Sequence, residues 1–111
     1  MDPVDAASRL PRPSPRTGAG LSHEHAVMLA RSLKVVANAT RLQLLSLLLA
    51  EPEERATVGG LTEGIGLRQP TVTHHLTLMH EAGLLEREPR GRQVWYSVNP
   101  DMRDTIVDLV T

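Results

Sequence analysis

Apolar residues recur at helical spacing along most of the chain, and they switch to alternate positions near its end. Ser22 is a typical N-cap residue, and it precedes the first helical stripe. That stripe comprises Val27, Ala30, Leu33, Lys34 and Ala37, with Leu29 and Val36 on its flank. Asn38 is suited to cap a second helix over residues 39–50, which ends before Pro52. Its apolar residues lie nearly all round, which is typical of a central buried helix. We expect Leu42, Leu45 and Leu49 to point inward, with Leu44, Leu47 and Leu48 broadening that face.

Two short helical segments follow, separated by a turn over residues 64–67, where two glycines permit a sharp change of direction. The first segment starts at Thr57 or its neighbour, and its inward residues are Val58, Leu61 and Ile65. The second runs from about Gln69 to Ala82, with Val72, Leu76, Met79 and Gly83 on its inward side. This arrangement predicts a helix–turn–helix unit.

The last part of the chain changes from helical to alternating periodicity. Leu85 and Arg87 begin one strand, residues 93–98 form a second, and residues 89–92 are the loop of a hairpin. Residues 99–101 open a final helix, whose apolar positions are Met102, Ile106, Leu109 and Val110. The predicted fold is therefore mainly α: about five helices with a two-stranded β-hairpin wing.

Length and composition divide the chain into a tail and one domain. With 111 residues there is room for a single domain. Residues 1–20 are rich in Pro and Arg without an apolar period, which predicts a disordered arm before a domain over residues 21–111. The arginines of this arm, Arg9, Arg12 and Arg16, could contact phosphates, but a solvated tail is the simpler interpretation.

The sequence favours a cytoplasmic protein without thiol chemistry. The first residues are acidic and lack the apolar region of a secretory signal, and the longest apolar stretch, 44–50, is too short to span a membrane. Cysteine is absent, which excludes disulfides and thiolate metal sites.

Charge is segregated along the chain, although its formal net value is only −1. Arg87, Arg90 and Arg92 lie together around the predicted hairpin loop, whereas most acidic residues lie elsewhere. A basic loop of this kind is suited to contact a nucleic-acid backbone or a minor groove.

The second helix of a helix–turn–helix unit reads DNA because it is narrow enough for the major groove. Its outward face here is polar and comprises Arg68, Gln69, Thr71, Thr73, His74 and Thr77. Gln bonds adenine, Arg bonds guanine and Thr contacts base edges or thymine methyl groups. Taken alone, such a face is equally consistent with DNA binding and with an ordinary solvated helix surface. Arg90 and Arg92 in the wing favour double-stranded DNA as the partner.

Four blocks resemble the ArsR–SmtB family of winged-helix repressors. Residues 36–45 (VANATRLQLL) are similar to that family's LADPTRLRIL, and residues 66–76 (GLRQPTVTHHL) to LSQPTVSHHL. Residues 81–85 (EAGLL) and 91–96 (GRQVWY) resemble its EAGLV and GRxxxY. The resemblance covers roughly residues 25–105 and implies a homodimer joined through its first and last helices. It also implies repression of transcription that is relieved when an effector, often a metal ion, binds.

The family's metal-binding motifs are not reproduced here. Residues 57–61 read TVGGL where the thiol sensors of the family carry CVCDL, and Met102 stands near the His expected on the last helix. The usual Lys and Arg after the recognition motif are also replaced, by Thr77 and His80. No cofactor is therefore certain. Weak candidates for a divalent metal site between subunits are His23, His25, Asp104 and Asp108.

Two other function classes compete with that of a DNA-binding regulator. An enzyme is disfavoured because the sequence contains no G-x-S-x-G elbow, P-loop or nucleophile at usable spacing from His74 and His75. A winged helix that binds protein instead of DNA is compatible with the near-zero net charge. A third alternative is a DNA-binding regulator that responds to no small-molecule effector.

Overall fold

A computed structural model of the chain describes residues 20–111, so residues 1–19 of the expected arm lie outside the described part. The elements are α1 (His23–Val36), α2 (Ala39–Ala50), a 3₁₀ turn (Pro52–Glu54), β1 (Arg55–Thr57), α3 (Val58–Ile65), α4 (Gln69–Glu81), β2 (Leu85–Arg90), β3 (Gln93–Val98), a second 3₁₀ turn (Pro100–Met102) and α5 (Arg103–Val110). The five α-helices and the β2–β3 hairpin confirm the predicted winged helix–turn–helix architecture. The last helix begins later than expected, because Asn99 caps the 3₁₀ turn that precedes it.

Three of the helices begin at residues whose side chains satisfy an otherwise unpaired main-chain N–H group. Ser22, Asn38 and Thr57 each accept a hydrogen bond of 3.1 Å from the N–H three positions along the chain. Caps of this type stabilise a helix by about 1 kcal/mol. Glycines then end α3 and α4: Gly66 and Gly83 adopt φ angles of 74° and 80°, a conformation that other residues rarely take.

The core is aliphatic and centres on α2. Leu44, Leu45 and Leu48 of α2 are completely buried, whereas Leu42 and Leu49 are only partly so. Leu45 is thus buried as expected, but Leu44 and Leu48 lie deeper than Leu42 and Leu49, which were expected at the centre of the buried side. A helix that is apolar nearly all round has no periodic signal to indicate which side lies deepest. The residues that pack around α2 from the other elements include Val36, Leu61, Val72, Leu76, Met79, Leu84, Leu85, Tyr96 and Ile106.

The hairpin belongs to a three-stranded antiparallel sheet of order β1-β3-β2. Strand β1, which the sequence did not predict, pairs Ala56 with Tyr96 of β3. The hairpin turn is also tighter than expected: the strands continue to Arg90 and Gln93, so Gly91 and Arg92 alone make the turn. Alternation sends Leu85, Arg87, Tyr96 and Val98 to one face of the sheet, and Glu86, Glu88, Trp95 and Ser97 to the other.

The segment before β1 is held to the start of α5. Glu53 and Glu54 both have positive φ angles, 58° and 54°, an uncommon conformation for residues with a side chain. The carboxylate of Glu54 accepts hydrogen bonds of 2.7 and 3.0 Å from Nε of Arg103 and one of 2.6 Å from its Nη2. This ion pair lowers the pKa of Glu54 and raises that of Arg103.

No single helix among residues 20–111 is both long and apolar enough to cross a membrane. Taken together, α1 and α2 have sufficient length and composition, but they meet at an angle of 93°.

Candidate nucleic-acid interface

Helix α4 has one buried side and one exposed polar side. Val72, Leu76 and Met79 are completely buried and fix the rotation of the helix against the core. The opposite side carries the six predicted DNA-contacting residues, all of them exposed: Arg68, Gln69, Thr71, Thr73, His74 and Thr77. Arg68 is the N-cap residue and makes no side-chain cap, so its guanidinium group takes no part in starting the helix.

A cleft of about 440 Å³ separates the polar side of α4 from the hairpin. One wall is formed by Gln69, Thr73 and Thr77, and the facing wall by Arg87, Arg92 and Gln93. Thr57, Val58 and Gly59, at the start of α3, line one end of the cleft, and Val94 and Tyr96 complete the lining. The structure thus brings the predicted recognition face and part of the predicted wing to one concave surface with two arginines.

The two predicted wing arginines differ in their surroundings. Arg92 lines the cleft, whereas Arg90 lies on the opposite face of the sheet and forms an ion pair with Glu88. Arg87, which belongs to the same basic group but was not among the predicted DNA contacts, lies opposite Tyr96 in the sheet and lines the cleft. The alternation of side chains along a strand could have identified Arg87. It is two positions from the buried Leu85 and therefore on the same face of β2, whereas Arg90 is five positions away and on the other face.

His74 and His75 are neighbours in sequence but have different environments. His74 is exposed, and the two ring centroids are 6.0 Å apart. His75 is partly buried, and its Nδ1 lies 3.2 Å from Nη1 of Arg41 on α2. Partial burial, and then the positive charges of Arg41 and His74, lower the pKa of His75 below its usual value.

The outer face of the sheet carries the single tryptophan of the chain. The guanidinium carbon of Arg55 lies 4.9 Å from the centroid of the Trp95 ring, and Arg55 also forms an ion pair of 3.5 Å with Glu53. Trp95 lies in register with Thr57 and Glu88 on its two neighbouring strands. This stacked pair is on the face opposite to Arg87.

Several large apolar side chains of α1 and α5 are exposed among the described residues. Val27 and Met28 of α1 have exposed fractions of 51% and 62%, and Leu109 of α5 has 42%. Leu21 and Leu33 are similarly exposed, at 43% and 39%. The five residues of the predicted helical stripe of α1 are thus all exposed in a single chain, while Ser32 and Val36 are buried.

The weak metal candidates do not form a site within one chain. His23 and His25 lie in the first turn of α1, and Asp104 and Asp108 lie on α5; all four are exposed. Among residues 20–111, no group of three or more His, Asp or Glu side chains has the geometry to hold a metal ion. A site shared between subunits stays a prediction.

Comparison with known proteins gives matches to one family of regulators. Residues 38–87 match the model of the bacterial regulatory protein, arsR family. The HTH-type transcriptional regulator NmtR of Mycobacterium tuberculosis is 32% identical over 83 residues, which cover 75% of this chain and 67% of NmtR. The chain therefore spans about two thirds of that relative's length.

Solved structures of similar proteins have the same architecture. The transcriptional repressor PagR of Bacillus anthracis superposes with a TM-score of 0.70 at 27% identity, covering 79% of this chain and 99% of PagR. The homodimeric winged helix–turn–helix DNA-binding domain Mb0332 of Mycobacterium bovis, a possible ArsR-family regulator, gives 0.69 at 26% identity, covering 82% and 85%. The family match, the similarity to NmtR and the shared fold together show that this chain belongs to the arsR family of bacterial winged-helix transcriptional regulators.

Proposed function

We propose that the protein is a DNA-binding transcriptional repressor that binds an inverted-repeat operator as a homodimer. The observation that carries this proposal is the cleft between α4 and the hairpin, where exposed Gln and Thr side chains face two arginines. A helix with such a face fits the major groove, and a basic strand beside it fits the adjacent phosphate backbone.

Each residue of the cleft has a distinct role in this arrangement. Gln69, Thr73 and Thr77 lie along α4, so they reach successive base edges, with Gln69 suited to a bidentate contact with adenine. Thr71, His74 and Arg68 flank this row and reach bases or phosphates at its margin. Arg87 and Arg92 contact phosphates, which fixes the position of the protein without selecting a sequence.

We propose a lesser role for Arg90 than for the two arginines of the cleft. Its guanidinium group is already paired with Glu88, on the sheet face turned away from α4. A phosphate would have to compete with that carboxylate. We therefore assign the backbone contacts of the wing to Arg87 and Arg92.

The exposed apolar residues of α1 and α5 support dimer formation. Burial of Val27 and Met28 against a second copy would remove apolar surface from water, which is favourable. The homodimeric state of Mb0332 is consistent with this assignment. A two-fold dimer presents two copies of α4, which requires two half-sites about 34 Å or a multiple of it apart.

Selection from a pool of random duplexes, followed by mobility-shift titration of the selected sequence, tests the proposal. We expect an inverted repeat and an affinity that falls steeply as salt concentration rises. Failure to enrich any sequence, together with a flat salt response, would contradict DNA binding and favour the protein-binding alternative. Sedimentation of the free protein measures the dimer independently.

A further inference from the structure

Arg41 links three helices through a single guanidinium group. It lies in the first turn of α2, its Nε donates a hydrogen bond to the main-chain oxygen of Val35 in the last turn of α1, and its Nη1 lies 3.2 Å from Nδ1 of His75 on α4. The Val35 oxygen is one of the carbonyl groups that a helix end leaves without an internal partner. Arg41 and His75 are 34 positions apart, so this contact depends on the tertiary fold.

The direction of the Arg41–His75 hydrogen bond is determined by chemistry. A guanidinium group has donors only and stays charged in proteins, so Nδ1 of His75 must be the acceptor. His75 is therefore neutral, with its proton on Nε2. A protonated ring would present an N–H to the N–H of Arg41 and place two positive charges side by side, and the hydrogen bond would be lost.

Within the described residues, His75 is the α4 residue whose side chain hydrogen-bonds to another helix. The rest of the helix is held by apolar packing of Val72, Leu76 and Met79, and by a hydrogen bond of 3.1 Å from Ser32 to the Ala82 carbonyl at its end. Apolar packing is not directional, whereas a hydrogen bond fixes an angle. His75 also directly follows His74 of the DNA-facing side, so its contact adds a directional constraint to the orientation that the buried residues give this side.

We propose that Arg41 is a positioning residue for the recognition helix: it holds α4 in the DNA-binding position through neutral His75, so operator binding weakens when His75 is protonated. This inference rests on the proposed DNA-binding function. The charged groups that act on the His75 ring are Arg41 from α2 and His74 on α4 itself. None of the ion pairs between residues 20 and 111 provides a carboxylate to His75 that would stabilise the protonated ring.

The test compares the pH dependence of DNA binding in wild type and His75→Asn, using the duplex selected from the random pool. The Asn side-chain oxygen takes the place of Nδ1 as an acceptor but does not titrate. Between pH 8 and pH 5.5, we expect wild-type affinity to fall by about tenfold more than that of His75→Asn, the order of magnitude that two lost hydrogen bonds, one in each subunit, contribute. His80→Asn, which removes an exposed imidazole ring at the end of the same helix, should keep the wild-type profile.

Variants of Arg41 separate positioning from general stability. Arg41→Gln should bind the duplex more weakly at pH 8 and respond less to acidification, while Arg41→Lys should restore part of the affinity because it donates one of the two hydrogen bonds. If Arg41→Gln lowers only the melting temperature and leaves affinity and pH profile unchanged, Arg41 is merely structural. Equal pH profiles for wild type and His75→Asn would overturn the proposal.

A measurement without DNA keeps this inference separate from the proposed function. Nitrogen-15 NMR of the imidazole ring should show an unprotonated Nδ1 on His75 at pH 7.5, and a proton on Nδ1 would refute the proposed contact. If no duplex is selected at any pH, the proposed function fails. The amide shifts of Val35 and Arg41, at the far side of the contact, then decide the inference: they should move with pH in wild type and much less in His75→Asn, which keeps His74 and His80, and equal behaviour would refute it.

Discussion

Substitution of Arg87 by Ala tests the assignment of the wing most directly, with Arg90→Ala as the matched control. Both residues are exposed arginines on β2, three positions apart, but Arg87 lines the cleft beside α4 and Arg90 is paired with Glu88 on the other face. Neither side chain contributes to the core, so both variants should fold.

The expected size of the effect follows from counterion release. Each phosphate contact contributes about 0.9 to the slope of log affinity against log salt concentration, and a dimer loses two contacts with one substitution. Arg87→Ala should therefore lower the slope by about two units and weaken binding to all duplexes to a similar extent. Arg90→Ala should change the slope by much less than one unit, since its charge is offset by Glu88.

Fluorescence anisotropy with a labelled duplex, at four or more salt concentrations between 50 and 300 mM, gives the slope for wild type and both variants. The selected operator and a scrambled duplex are measured in parallel, because a phosphate contact affects both. The assignment would be refuted if Arg90→Ala reduced the slope and Arg87→Ala did not.

Three further predictions concern specificity, assembly and stability. Gln69→Ala should reduce discrimination at one base position of each half-site by about 1–3 kcal/mol, while binding to a scrambled duplex stays unchanged; a uniform loss over all positions would contradict a base contact. Met28→Glu places a charge among the exposed apolar residues of α1, so it should shift the sedimenting species from dimer to monomer and weaken operator binding. A dimer of unchanged stability would show that Met28 is not part of the dimer interface. Glu53→Gly should raise the free energy of unfolding, measured by urea titration, by about 1 kcal/mol, because glycine adopts a φ of 58° without steric cost. A lower free energy of unfolding would show that the contacts of the Glu53 side chain stabilise the fold by more than its backbone strain destabilises it.

The helices were predictable because their limits are encoded locally. Ser22 and Asn38 have the side-chain chemistry of N-caps, and Gly66 and Gly83 have the conformational freedom that helix ends need. Strand β1 was missed because three residues are too few to show an alternating pattern. Its pairing depends on β3, which lies about forty positions later in the chain.

The candidate interface was predicted in part for similar reasons. The polar side of α4 follows from the helical period, since Val72, Leu76 and Met79 define the buried side. Strand alternation places Arg87 and Arg90 on opposite faces of β2. To decide which of the two faces α4, one must know which face is buried, and Leu85 indicates this. The contact between Arg41 and His75 was not predictable, because it depends on how α2 and α4 pack.

Trp95, which stacks against Arg55, gives the sheet a fluorescence signal that the rest of the molecule lacks. Trp95 is the single indole of the chain, so intrinsic emission excited at long ultraviolet wavelengths originates from β3 alone. A guanidinium group 4.9 Å from the ring centroid makes that emission sensitive to small movements of β1 against β3. Trp95 is thus a suitable intrinsic probe of this face of the sheet in titrations with DNA, without any attached dye.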